Sequence, residues 1–328
     1  MQSDEAGARS CWVVTDGRAG IEAQALGLAE AIAERTPLAI SVKRIRLARP
    51  WRFIPTAPFG DAFSKLDASG DLLTPPFPDL WIGCGRTSVP LGIAVKKKRP
   101  DAFVVQLQDP RVDPARFDLV IPPAHDGLAG ENVFSIVGSP NRIQRLKALQ
   151  GIARRDGANR RDILAVLIGG PNKAFRFSSV EARDIAGRLK SLAQNGALLR
   201  VTTSRRTPAL AAEILQAALK DDAEIFWRAD KDDGAGNPYP SMLAGARAIF
   251  VTEDSVNMAA EAASTGAPIY ILALGPKRGG SSKKFDAFHQ SLQDRGASRR
   301  FCGALDDWTY EPLNETARAA DEVMKRWR

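Results

Sequence analysis

Cysteine and histidine are scarce in this 328-residue chain: Cys11, Cys84 and Cys302, His125 and His289, with no CxxC pair. That scarcity excludes a disulfide framework and leaves no ligand set for a structural zinc site, so no metal is expected. Sparing use of cysteine also fits a reducing cytoplasm. Long apolar runs are missing too. Ile163–Ile168 and Ile269–Leu274 fall far short of the ~20 residues a membrane-spanning helix requires. The opening MQSDEAGARS has adjacent acids where a signal peptide has its apolar core. Neither charge is in large excess: 46 Lys+Arg face 38 Asp+Glu, a formal +8, with 22 basic and 17 acidic side chains in the first 160 residues. Spread evenly, that balance describes a solvated surface; concentrated, it would attract phosphates on a nucleotide or an anionic membrane. No nucleic-acid-binding module accompanies it, so nucleic acid is not an expected partner.

What the chain does contain is 44% hydrophobic and 26% charged residues, the composition of a globular protein, at a length that suits two domains. CWVVT (11–15) reads as a buried strand, followed by a helical pattern from Ile21 to Arg35. LAISVKRI, LWIGCG, AFVVQLQ, FDLVIPP and NVFSIVG read as further strands, with Val89–Lys98 a helix among them. Strands separated by helices argue for parallel sheets covered on their faces. Residues 141–161 are basic and carry no strand signal. The pattern then restarts: RDILAVLIGG, a helix over Val180–Gln194, ALLRVTTS, a helix over Pro208–Leu219, EIFWRA, a helix over Tyr239–Ala246, AIFVTE, a helix over Ser255–Thr265, and PIYILAL. The expected fold is α/β, with two doubly wound, Rossmann-like parallel-sheet domains facing one another across a cleft. Residues 1–142 would form the N-terminal domain, 143–160 a linker and 161–310 the C-terminal domain. Residues 311–328 would form a terminal helix whose packing partner the pattern leaves open.

In open parallel sheets, ligands bind at the carboxyl ends of strands, so the residues just after each strand are informative. Thr15-Asp16-Gly17-Arg18-Ala19-Gly20 ends the first strand, and Gly83-Cys84-Gly85-Arg86-Thr87-Ser88 a later one. Gly17, Gly20, Gly85 and Arg86 would suit an acceptor or phosphate loop, because glycines let backbone N–H groups approach an oxygen ligand. A tight turn without a ligand uses the same residues. No GxGxxG is present, so a dinucleotide cofactor is not expected. Gly169, Gly170, Asn172 and Lys173 follow another strand and would suit a donor phosphate, the glycines freeing the backbone, Asn172 offering an amide and Lys173 charge, without the GK[ST] ending of a P-loop. Ser204, Arg205 and Arg206 follow the next and read as a diphosphate clamp, since guanidinium binds phosphate bidentately; a capped helix with two solvated arginines is the alternative. Glu253, Asp254 and Ser255 end a strand, Asn257 and Glu261 lie on the helix that follows, and all five are expected on the donor side.

Met242-Leu243-Ala244-x-Ala246, a strand, then Ser255, Glu261, Gly266 and Pro268 in order resemble the donor-binding segment of GT-B glycosyltransferases. The pattern is most similar to that of the peptidoglycan N-acetylglucosaminyl transferase. The resemblance implies a diphosphate against the helix that Ser255 opens and ribose hydroxyls on Glu261. It also implies a nucleotide sugar, UDP-linked, as substrate, with no separate cofactor. Val137–Arg142 resembles the inter-domain hinge of such enzymes. Ser255 stands where glycine is common, and GGPNK replaces the usual GGSxGA, which leaves the sugar unassigned.

A nearer likeness covers almost the whole chain. DGRAG, GCGRTSVP, QLQDPR, FDLVIPPAHDG, TTSRRTP, NPYPSMLA (with Asn237), VTEDSVNM and KFDAFHQSL resemble the bacterial and plant family named for the mitochondrial-fission "elongated mitochondria" proteins. That family is similar in fold to GT-B enzymes, and its plant members are associated with recruiting a dynamin-related protein to mitochondria. The activity this implies is an inverting, metal-independent transfer from a nucleotide sugar to a lipid or envelope acceptor, in the cytoplasm and peripherally at the inner membrane. The general base is expected in the first domain: His125 and Asp126, with Asp16 and then Asp109 as further candidates. The alternative is a non-catalytic adaptor that keeps the shell and recruits a protein or an anionic membrane. Lys96-Lys97-Lys98-Arg99 is the most basic surface candidate, and Lys283-Lys284-Phe285-x-x-Phe288-His289 suits either a lipid or the nucleotide. Oligomeric state is not legible.

Overall fold

The computed structural model describes residues 7–53, 60–142, 163–231 and 236–328. The expected linker, 143–160, lies outside them. The chain divides into two compact units, Met1–Arg142 with Asn314–Arg328, and Ile143–Leu313.

The first unit runs β1 (Arg9–Thr15), α1 (Ala19–Ala33), β2 (Leu38–Arg44), β3 (Leu80–Cys84), α2 (Val89–Lys98), β4 (Phe103–Leu107) and β5 (Leu119–Ile121). Every pair in its sheet is parallel, in the order β2-β1-β3-β4-β5. Parallel sheets are covered on both faces, so their strands read as continuous apolar runs, and the period-2 alternation sends neighbours to opposite cores. Val13, Leu80 and Ile82 pack with Leu28 and Ile32 of α1. Val14 and Trp81 pack on the other face with Leu91 and Val95 of α2.

NVFSIVG does not form the expected strand. Residues 132–136 run beside β5 and the residues after it as an interrupted ladder, with backbone bonds such as Phe134 N to the Val120 carbonyl at 2.9 Å and two isolated bridges, Val120 to Val133 and Pro123 to Ile136. Pro122 and Pro123 have no N–H to continue a ladder.

The second unit runs β6 (Ile163–Ile168), β7 (Phe175–Arg176), α3 (Ser179–Gln194), β8 (Leu198–Thr203), α4 (Ala209–Leu219), β9 (Ala223–Arg228), α5 (Tyr239–Gly245), β10 (Ala248–Thr252), α6 (Val256–Ala263), β11 (Ile269–Leu272), β12 (Gly275–Pro276), α7 (Lys283–Asp294) and β13 (Ser298–Arg300). Its main sheet is parallel in the order β13-β11-β10-β6-β8-β9, and β7 and β12 pair antiparallel beside it. Ser178 and Glu181 close a capping box on α3, which satisfies first-turn N–H groups that the helix itself leaves unpaired.

The last helix, α8 (Glu315–Arg326), belongs to the first unit. Ala319, Ala320 and Val323 enter the α1 core. Its first turn also holds the end of the 137–142 segment: Val137 N donates to Glu315 Oε2 at 3.0 Å and Asn141 N to Thr316 Oγ1 at 2.8 Å. Gly27 on α1 has to be glycine here, since a Cβ would sit 2.5 Å from the Asn141 carbonyl oxygen. Among the described residues, no helix is long and apolar enough to cross a membrane.

Candidate functional site

Ligands of open α/β sheets bind beyond the carboxyl ends of the strands where the chain reverses its direction of travel across the sheet. In the first unit that point lies between β1 and β3; in the second it lies between β6 and β10.

At the first, Asp16 and Gly85 face one another across adjacent loops. Gly17 (φ 78°) and Gly85 (φ 81°) are left-handed, a conformation that favours glycine. Asp16 is ion-paired with Arg18 at 2.7 Å, and a Cβ on Gly85 would lie 4.0 Å from that guanidinium. Two of the expected phosphate-loop residues are placed differently. Gly20 lies within the first turn of α1, and Arg86 turns away to donate to the Arg52 carbonyl at 2.7 Å. His125 and Asp126 occupy a single 3-10 turn after β5, three strand spacings from β1, or about 14 Å. They are therefore not grouped with Asp16.

A buried amide network under this point had no role in the sequence reading. Ser88 Oγ donates to the Gly85 carbonyl at 2.9 Å and to Gln106 Oε1 at 3.2 Å, while Gln108 Nε2 donates to Gln24 Oε1 at 3.0 Å. Gln108 (φ 69°) and Arg111 (φ 59°) bracket Asp109 in left-handed conformations, strain of the kind that collects at functional sites. The readable signal was a pair of glutamines ending an otherwise apolar strand.

At the second point the expected phosphate cradle is already filled by the chain itself. Gly169 N donates to Thr252 Oγ1 at 2.8 Å and Gly170 N to Asp254 Oδ2 at 2.9 Å, so neither amide is left for a ligand. The glycines are needed for close packing. A Cβ would lie 2.2 Å from Asp254 Oδ1 at residue 169, and 2.2 Å from the Arg206 carbonyl oxygen at residue 170. Asp254 is a keystone and does not face a donor. Its fully enclosed carboxylate also accepts from Thr252 Oγ1 at 2.7 Å and Arg206 Nη2 at 2.7 Å. Arg206 reaches back to the Gly170 carbonyl at 3.1 Å. Asn172 and Ser204 shape their own turns, Asn172 by accepting from Ala174 N and Phe175 N, Ser204 by accepting from Arg206 N.

Glu253 is likewise structural. Its buried carboxylate accepts from Leu274 N and, at 3.4 Å, from Arg300, and burial raises its pKa. Its carbonyl accepts from His289 Nε2 at 2.8 Å. Burial lowers the His289 pKa, with the bond to the Glu253 carbonyl acting in the opposite direction. Arg205 of the expected clamp and Lys173 are exposed to solvent, without an ionic partner among the described residues.

Ser255 caps α6, accepting from Met258 N at 3.4 Å, and Asn257 follows on its first turn. In the second turn Glu261 accepts a short hydrogen bond from Tyr239 Oη. Tyr239 is placed by Asn237, whose side chain accepts from Tyr239 N at 2.9 Å. Burial pushes the Glu261 carboxyl up to about 7, with the Tyr239 bond acting in the opposite direction; Tyr239 is itself raised by burial and by Glu261. Tyr239 was present in NPYPSMLA but had been given no part.

Among the described residues, no group of three or more His, Cys, Asp or Glu is placed to hold a metal ion. In the Lys96–Arg99 run the two outer residues are fastened, while Lys97 and Lys98 are exposed. Lys96 donates to two carbonyls and pairs with Asp118 at 2.8 Å, and Arg99 pairs with Asp79 and Asp101.

Two doubly wound parallel sheets, each with polar loops at its point of reversal, define an α/β protein of GT-B-like architecture. Residues 19–327 match the family described as Mitochondrial fission ELM1, and the chain belongs to that family. The "Mitochondrial fission protein ELM1" of Arabidopsis thaliana is 28% identical over 279 residues, covering 76% of this chain. This chain spans only 64% of that plant protein's length. An uncharacterized protein of Rickettsia prowazekii is 27% identical over 96% of this chain and 97% of its own length. Among solved structures, the UDP-GlcNAc 2-epimerase of Methanocaldococcus jannaschii in complex with UDP-GlcNAc and UDP is similar with a TM-score of 0.52 at 12% identity, over 96% of this chain and 98% of that one. At that identity the likeness establishes the shared fold.

Proposed function

We propose that the protein is a nucleotide-sugar-dependent glycosyltransferase, inverting and metal-independent, with the donor bound by the second unit. The observation that carries this reading is the division of labour at the β6–β10 point. Buried Asp254 locks Arg206 and the Gly170 loop in place, while Arg205 and Lys173 stay uncompensated on the loops beside the start of α6. The diphosphate lies against the Ser255 end of α6 with Arg205 steadying its charge, and Glu261, oriented by Tyr239, accepts from the ribose hydroxyls. The M. jannaschii enzyme of the same fold, in complex with UDP-GlcNAc and UDP, supports uridine as the first base to try. In the transfer, an acceptor oxygen bonds to the anomeric carbon as the bond to the diphosphate breaks. A base takes the acceptor proton and fixed cations stabilise the leaving group. The candidates for that base are His125, Asp126 and Asp16.

Thermal unfolding with a panel of nucleoside diphosphates tests the reading. A ligand at about 100 times its Kd adds ~2.7 kcal/mol, and Glu261→Ala should abolish most of that gain with the fold intact. No stabilisation by any nucleotide refutes it. Release of a 2-epimer from UDP-GlcNAc, with no transfer, would assign an epimerase instead.

One observation favours an adaptor at a membrane surface. Phe53 is 65% exposed with Arg52 over its ring at 4.5 Å, and Lys65 lies over Trp51 at 4.6 Å. Sedimentation with anionic vesicles that weakens at high salt, together with no turnover of any donor, would support it.

A further inference from the structure

We propose that the transferred group carries a negative charge of its own, so that the donor is an acidic sugar nucleotide. This rests on the glycosyltransferase reading and adds the charge class of its substrate.

Three segments at the carboxyl edge of the second sheet, residues 169–178, 203–208 and 273–284, contain eight Lys or Arg and no Asp or Glu. They form one surface. Lys277 N donates to the Ala174 carbonyl at 2.8 Å, a Cβ on Gly280 would sit 2.5 Å from the Lys173 carbonyl oxygen, and one on Gly170 would meet the Arg206 carbonyl oxygen. Arg206 is neutralised by Asp254 and Arg176 by Glu181. Lys173, Arg205, Lys277, Arg278 and Lys283 are exposed and have no acidic partner among the described residues.

The 273–284 segment is held from below. Phe288 is buried, and Phe285 packs edge-on against Phe175 with centroids 5.2 Å apart. The aromatic residues of the KKFxxFH motif therefore serve the core and leave its cations in water. A nucleoside diphosphate bound to a neutral sugar brings roughly two negative charges, fewer than these five cations. Like charges gathered on one edge repel unless a ligand offsets them. The segment that supplies the surplus follows β11, the neighbour of β10, and β10 is the strand that leads into the Ser255 end of α6. A carboxylate or phosphate on the transferred group supplies the missing charge.

The test is a matched pair: Kd for UDP-glucose against UDP-glucuronate, or GDP-mannose against GDP-mannuronate if guanosine is the base. At low ionic strength the acidic member should bind at least about fivefold more tightly, the effect of one partly exposed ion pair near ~1 kcal/mol. The ratio should fall towards one at high salt and in Lys277→Ala/Arg278→Ala, and should invert in Lys277→Glu/Arg278→Glu. These side chains are exposed, so the fold should tolerate both variants. UDP binding with equal affinity for the two members overturns this inference alone, as does a preference that both variants leave untouched. Failure of every nucleoside diphosphate to bind removes the glycosyltransferase reading, and this inference with it.

Discussion

Replacing Glu261 by glutamine should flatten the pH dependence of stability between about pH 5 and about pH 8. In the folded chain the carboxyl titrates at about 7 against an ordinary 4.5. Between those values the native state holds a proton that the unfolded chain has released, so stability must fall as pH rises and the loss is complete above about 7. The gap corresponds to about 3 kcal/mol. Residual solvent contact at Glu261 makes that figure a ceiling.

Glutamine keeps an acceptor for Tyr239 Oη but has no proton to lose. Urea denaturation across this window should give the wild type a falling midpoint and Glu261→Gln a level one. Nucleotide affinity should run in the opposite direction, rising as Glu261 ionises and becomes a better acceptor for ribose hydroxyls. Tyr239→Phe removes a bond that favours the ionised form and should move the affinity midpoint upward. Parallel stability slopes for wild type and Glu261→Gln would refute the account of Glu261 as a buried, raised carboxyl.

Asp254→Asn should destabilise the second unit by about 3 kcal/mol, because it leaves Arg206 without its buried counter-ion; denaturant midpoints measure this. Gly170→Ala should cost at least about 2 kcal/mol, since the new methyl meets backbone that cannot rotate away, and should weaken nucleotide binding by displacing the loop. Leu28→Ala, between the first sheet and α8, should cost about 3 kcal/mol. It should act on the first unit's transition and leave the second unit's nucleotide response unchanged.

Much of the architecture was readable because it is local. LWIGC and ILAVLI are apolar throughout, as strands covered on both faces must be, and each is followed by glycine where the chain turns out of the sheet. The loops of the candidate site were found for the same reason: a loop after a parallel strand lies at the ligand-binding edge whatever the strand order. NVFSIVG had the apolar content of a strand, yet the prolines of its neighbour interrupt the ladder and leave only isolated bridges.

Strand order, and with it the two points of reversal, needed the tertiary structure, because hydrogen-bonded pairing between strands far apart leaves no periodic trace in either one. The return of α8 to the first unit is a non-local event of the same kind. The glycines at 169 and 170 were read as space for a phosphate; only coordinates show Asp254 and the Arg206 backbone in that space. An aspartate written in a chain carries no sign of whether it will be enclosed among three donors or left in water. The ionisation of Glu261 likewise follows from what is packed around it. Composition counted +8 spread across both halves; folding gathered onto one edge five cations without an acidic partner among the described residues, since the charge on a surface depends on which segments meet there and which acids they meet.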